Sequence, residues 1–168
     1  VAVSLAVLFL PHKLFFARLI FVLLYFLAAT IKFHPGWILG TYFTSIDLGM
    51  PFFSDALAPV ASTVVILSQV IGCWFLLSPN PWLRRVATAF FIFFHLYSGL
   101  LVQYLYPSIA LLLSITLFTL GNERAAIPLT RRSLVGWLFA GALLCTQLIS
   151  VMIPGDVKLT LEGNYYGL

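Results

Sequence analysis

The chain has 168 residues, of which 62% are apolar and only 8% charged. Soluble domains carry about 45–50% apolar and about 25% charged residues, so a surface built wholly for water is excluded. The net charge of +4 is therefore no nucleic-acid footprint, because in so apolar a chain Lys and Arg report orientation in a membrane instead. A mean hydropathy of +1.07 agrees. The expected class is all-α: a polytopic membrane helical bundle, one domain over residues 1–168, with about five complete transmembrane helices and a truncated N-terminal one.

Residues 1–10 are nearly all apolar. Ten residues make about 15 Å of helix, half a bilayer, so this run reads as the tail of a longer membrane helix and not as a signal peptide. Pro11 and His12 break it. The first complete span is expected at about 13–33. Residues 34–56 form an extracytoplasmic loop whose Trp37, Tyr42, Phe43, Phe52 and Phe53 suit an interfacial segment. A second span at about 57–78 is expected to stop at Pro79-Asn80-Pro81, with Trp82-Leu83-Arg84-Arg85 as an interfacial anchor. A third span covers about 86–104. Tyr106-Pro107 reads as a tight turn before a short fourth span, about 108–120, and a fifth covers about 133–153. The end at Glu162-Gly163-Asn164-Tyr165-Tyr166-Gly167-Leu168 is expected to continue in a longer protein.

If all five spans cross, Lys13, Arg18, Arg84, Arg85, Arg124, Arg131 and Arg132 fall on one side. Lys32 and Lys158 fall on the other. The positive-inside rule makes the first side cytoplasmic. Lys32, the 34–56 loop, the Tyr106 turn and the tail are then extracytoplasmic. Orientation does not call for a cation at Lys32, which gives that residue its interest.

Lys32, His34 and Trp37 follow one another at the end of the first span. An amine there either snorkels to the interface or faces a protected polar cavity, with Tyr25 and Thr30 leading up to it. In the third span the steps His95, Ser98/Gly99 and Gln103 trace one helical face that is polar or small, while the other faces are Phe, Leu and Ile. His95 is either a satisfied core histidine or a ligand contact. Gln69 and Gln147 read as interhelical hydrogen-bonding amides, and Arg18 as a snorkelling cation. Cys73 and Cys145 sit in apolar runs as small hydrophobes. Asp47, Asp55, Asp156 and Glu162 read as solvated loop carboxylates. Three widely separated histidines, with neither Cys-x-x-Cys nor His-Glu-x-x-His, give no metal motif, and no Gly-rich phosphate loop is present.

The succession Arg18, Tyr25-Phe26-Leu27-Ala28-Ala29-Thr30-Ile31-Lys32-Phe33 and Trp37-Ile38-Leu39-Gly40 resembles the vitamin K-dependent gamma-carboxylases and their bacterial relatives with the horizontally transferred transmembrane domain. Phe93-Phe94-His95-Leu96, Gln103 and Tyr106-Pro107 resemble a later span of that family, and residues 162–168 resemble the segment after its last span. The resemblance implies a membrane enzyme, a carbon–carbon lyase, whose extracytoplasmic lysine acts as base on reduced vitamin K or a related quinone. The oxygen-driven chemistry that follows removes a proton from a substrate carbon, to which carbon dioxide adds. The matching base is Lys32, with His95 as a second catalytic candidate and Trp37, Tyr25, Ser98 and Gln103 as candidates for binding the quinone. Desolvation in an apolar setting lowers a lysine pKa toward the range a base needs. The resemblance implies a bacterial inner membrane, a protein or peptide substrate on the extracytoplasmic side and no metal. The family's further N-terminal spans, which supply another active-site histidine, have no counterpart here, and neither His12 nor His34 stands at the matching place.

The alternative is a non-enzymatic module that binds lipid or quinone, or assists assembly, with Lys32 anchored at headgroups and His95 as packing. In either case the membrane bilayer is the expected partner and nucleic acid is not.

Overall fold

The computed structural model describes residues 9–30, 32–41, 56–102, 105–119, 127 and 129–152. Every regular element among them is helical. Helix α1 spans Lys13–Thr30. A single turn, α2, follows at Pro35–Ile38, with Pro35 at its first position and the His34 side chain accepting from Gly36 N–H at 3.1 Å. Gly40 then turns the chain at φ +70°, so close to the next helix that a Cβ there would lie 2.7 Å from Ala58 Cβ. Residues 42–55, most of the expected interfacial loop with Asp47 and Asp55, lie outside the described residues.

Helix α3 spans Ala58–Val70 and continues as a 3-10 segment over Gly72–Leu77. The expected second span is thus an α-helix that tightens in its last third. Gly72 is a weak helix former, and Pro79 forces Ser78 out of the helical region, to φ −59° and ψ 137°. Helix α4 spans Pro81–Val102, so the third span begins five residues before the expected Val86. Pro81 starts this helix instead of ending the previous one. Asn80 caps it by accepting from Trp82 N–H at 2.9 Å, and a proline in the first turn gives up no intrahelical bond. Trp82, Arg84 and Arg85 therefore lie at the start of α4.

Helix α5 spans Leu105–Phe118. Tyr106 and Pro107, expected as a tight turn, are helical for the same first-turn reason. A 3-10 turn at Arg131–Ser133, closed by a reciprocal Thr130–Ser133 capping box, leads into α6, Leu134–Met152.

The packing centres on α1. Its apolar residues lie on all sides, and Phe15, Phe16, Leu19, Val22, Tyr25 and Ala29 are buried together with most of their neighbours. A helix apolar all round belongs at the middle of a bundle. It contacts α3, α5, α6 and the 72–77 segment, while α4 packs on α5 and on that same segment. Gly136 and Ala140 let α6 approach α1 closely: the Phe16 ring fills the space a Cβ at 136 would take. Phe15, Phe16 and Trp137 meet edge to face there, with centroids 5.3–5.6 Å apart.

The outer helices carry their polarity inward. On α3 the buried stripe is Ala58, Ser62, Ile66, Gln69, Cys73 and Leu76, while Val60, Val64, Leu67, Ile71, Trp74 and Phe75 face out. On α4, Ala87, Thr88, Phe91 and His95 are buried, and Trp82, Val86, Phe90, Phe93, Leu96 and Leu100 face out. Among the described residues, two helical stretches, Lys13–Thr30 and Ala58–Leu77, are long and apolar enough to cross a membrane.

Candidate functional site

The end of α1 determines what Lys32 does. A helix leaves its last four carbonyls without intrahelical donors. All four are satisfied here. Thr30 Oγ1 donates to Leu27 O at 2.6 Å, Lys32 Nζ to Ala28 O at 2.9 Å, Lys32 N–H to Ala29 O at 2.9 Å, and Phe33 N–H to Thr30 O at 3.3 Å. Lys32 therefore supplies two of the four donors. Its ammonium also lies over the Trp37 indole, 5.2 Å from the ring centroid. Both contacts, and the negative end of the α1 dipole, favour the charged form. Burial opposes them and prevails, pushing Lys32 down from its ordinary 10.5 to about 8.

Tyr25 and His95 meet one to two turns deeper. Both are buried, and the Tyr25 hydroxyl is hydrogen-bonded to His95 Nε2. Phe91 and Phe21 pack against the Tyr25 ring, 4.6 and 4.8 Å between centroids. His95 Nδ1 has no hydrogen-bond partner among the described residues. Ser98 turns its hydroxyl back to His95 O at 3.4 Å, and Gln103 lies outside the described residues. The structure thus makes two pairs of the candidate residues, Lys32 with Trp37 and Tyr25 with His95. They sit at different levels of α1, since Tyr25 and Lys32 are seven residues apart, about 10 Å of rise.

Two sequence expectations are corrected. Arg18 does not snorkel. It is buried, 2% exposed, and its Nε donates to Leu117 O at 2.8 Å with the guanidinium 5.7 Å from the Phe118 centroid. The C-terminal end of α5 offers an acceptor and a negative dipole inside the bundle, which is a better partner than a distant interface. The interhelical bond expected of Gln69 is not made by its Oε1, which is buried without a partner among the described residues, as is Ser62 Oγ. These two stand seven residues apart on the inward stripe of α3, a spacing visible in the sequence once that stripe is phased on Ala58, Ile66 and Cys73. Gln147 lies on α6 and has partners. Among the described residues no His, Cys, Asp or Glu cluster could hold a metal.

No protein-family model matches the chain, and no curated protein or solved structure matches it either.

Proposed function

We propose that the chain is a multi-pass, membrane-embedded helical domain in which Lys32 is the general base toward the hydroxyl of a reduced quinone, at the extracytoplasmic end of the bundle. Three observations support its membrane setting. The outward faces of α3 and α4 are apolar and their inward faces carry the polar groups. Helices α4 and α6, at 22 and 19 residues, add to the two spanning stretches, and about 33 and 28 Å of helix suit a hydrocarbon core of about 30 Å. Lys and Arg gather on one side of such an arrangement.

The observation that carries the catalytic reading is the desolvation of Lys32 to about 8. An amine at its ordinary pKa is neutral in about one molecule in 3,000 at pH 7, whereas one at 8 is neutral in about one in ten. That difference, about 300-fold in free base, is what a proton acceptor needs. The residues around it fit a quinol. Trp37 offers a flat aromatic face beside the amine, and two unpartnered buried oxygens, on Ser62 and Gln69, face inward from the helix that packs on α1 and α2. When bound, a reduced quinone supplies the acidic hydroxyl and, by the resemblance of residues 25–40 and 93–107 to the carboxylases, the oxygen chemistry that leads to proton abstraction and carboxylation of a protein or peptide substrate. The chain's own part is to hold the ring, exclude water and accept the proton at Lys32 Nζ.

The bond from Nζ to Ala28 O supports a second reading, a non-enzymatic lipid- or quinone-binding or assembly module in which Lys32 is only a helix cap. Lys32→Arg separates the two, because a guanidinium caps a carbonyl but stays protonated. In the full-length protein in lipid nanodiscs, the base reading requires quinol-dependent turnover to vanish in both Lys32→Arg and Lys32→Ala. Turnover retained in Lys32→Arg would leave only the cap.

A further inference from the structure

The inward stripe of α3 holds two oxygens that nothing in the proposed chemistry has used, Ser62 Oγ and Gln69 Oε1. Both residues are buried, 3% and 5% exposed, and neither oxygen has a partner among the described residues. An amide oxygen is only an acceptor, so what it lacks is a donor. A buried acceptor left without one is a standing free-energy cost, which a ligand carrying that donor removes.

The height of Gln69 follows from helix geometry. Helix α3 starts beside Gly40, at the end where α1 finishes, so the two run in opposite directions. Trp74 meets Phe26 with centroids 5.8 Å apart. Gln69 precedes Trp74 by five residues, two of α-helical and three of 3-10 rise, about 9 Å in all. On α1 four residues, about 6 Å, lead from Phe26 to its last residue, Thr30, and the turn that carries Lys32 lies just beyond. Gln69 is therefore near the level of the turn that carries Lys32, and Ser62, about 10 Å farther along, lies one turn from Ala58, which Gly40 approaches closely. The last turn of α1 is Leu27, Ala28, Ala29 and Thr30, of which Leu27 and Ala29 are buried.

We propose that Gln69 Oε1 is a hydrogen-bond acceptor site for a neutral aromatic ligand bearing an O–H group, placed so that the ligand's hydroxyl is read at the level of Lys32, with Ser62 as a second acceptor toward the end of the bundle. Through Oε1 the site rewards a donor, and so favours an aromatic alcohol over the same ring with its oxygen capped. It rests on the reading of Lys32 as the residue a quinol meets, and adds a second group that reads that ligand's hydroxyl.

Binding tests it without turnover. The full chain in nanodiscs is titrated with 1-naphthol and with 1-methoxynaphthalene, following tryptophan fluorescence and subtracting protein-free nanodiscs. Wild type binds the naphthol about tenfold more tightly, the order expected for one hydrogen bond to a buried orphan acceptor. In Gln69→Leu the two probes bind alike, through loss of naphthol affinity, while Ser62→Ala weakens the preference less. Gln69→Met serves the same purpose if the leucine variant does not fold. Equal binding of the two probes by wild type, or a preference that survives in both Gln69 variants, overturns the proposal. A Lys32→Arg protein that keeps its turnover removes the base and leaves this preference measurable, so the two failures are distinguishable.

Discussion

The C-terminus of α1 and the inward face of α3 lie at the same end of the bundle and treat their polar atoms in opposite ways. At the end of α1 every orphan carbonyl has a donor, two of them from Lys32. On α3 two buried side-chain oxygens have none among the described residues. A helix end inside an apolar bundle must be closed for the fold to stand, because no water completes it. A side-chain oxygen is under no such obligation, since leucine could occupy its place. The closed end is therefore required by the fold whatever else Lys32 does, and the open face is where function has reason to keep a cost.

If that contrast holds, the largest losses come from cutting donors at closed ends. Arg18→Met removes the donor to Leu117 O and leaves the last turn of α5 facing a thioether. We expect a loss of about 1.5–3 kcal/mol, the range for a hydrogen bond to a charged group, read as a lower unfolding midpoint in detergent. A loss below about 1 kcal/mol would mean that the guanidinium is dispensable and the contrast misdrawn.

Tyr25→Phe is the next step down. It deprives His95 Nε2 of the Tyr25 hydroxyl and leaves a buried imidazole with neither nitrogen paired among the described residues. The expected loss is about 1–3 kcal/mol. The double variant Tyr25→Phe, His95→Leu should recover much of it, because removing both partners leaves nothing unsatisfied. Failure to recover would show that His95 is held by something other than Tyr25.

Lys32→Ala opens the Ala28 carbonyl and removes the indole contact, together about 1 kcal/mol, but it also removes the larger cost of desolvating the ammonium, so no net loss is expected at pH 7. Its pH dependence gives a sharper reading. The folded amine releases its proton near 8 and the unfolded one near 10.5. Between those values the unfolded state binds more protons, so wild-type stability rises with pH through that window relative to Lys32→Met, and the difference is flat below it. The same titration governs the proposed base: turnover rises toward pH 8 and falls away below it. A profile centred near 10 would place the amine in water.

How much of this was legible in the sequence follows from where each signal lives. The helices were legible because runs such as Lys13–Thr30 are apolar without interruption. Their starts were misread at Pro81 and Pro107 because proline is a breaker inside a helix and a favoured residue in its first turn, and only the fold says which applies. Lys32 and Trp37 could be paired in advance because they are five residues apart. The fate of Arg18 could not, since its acceptor, Leu117, lies 99 residues away. The Ser62–Gln69 stripe was visible as a seven-residue spacing, but that both oxygens lack partners depends on what α1 and α2 present, which no local pattern records.

The smallest expected effect decides the comparison. Gln69→Leu removes one buried oxygen and its amide and substitutes a side chain of similar length that needs no partner. If the open face is kept for a ligand, the ligand-free protein loses nothing. Its unfolding midpoint should equal or exceed that of wild type, with the difference within about 1 kcal/mol, because an unpaired acceptor has been exchanged for an apolar group. If Gln69 is glue between helices, the same change removes an interhelical hydrogen bond, and stability falls by about 0.6–2 kcal/mol. The sign of this one shift, measured without any probe ligand, separates a residue that holds α3 in place from one that the bundle tolerates. Only in the second case does the acceptor at the level of Lys32 have to be explained by what it binds.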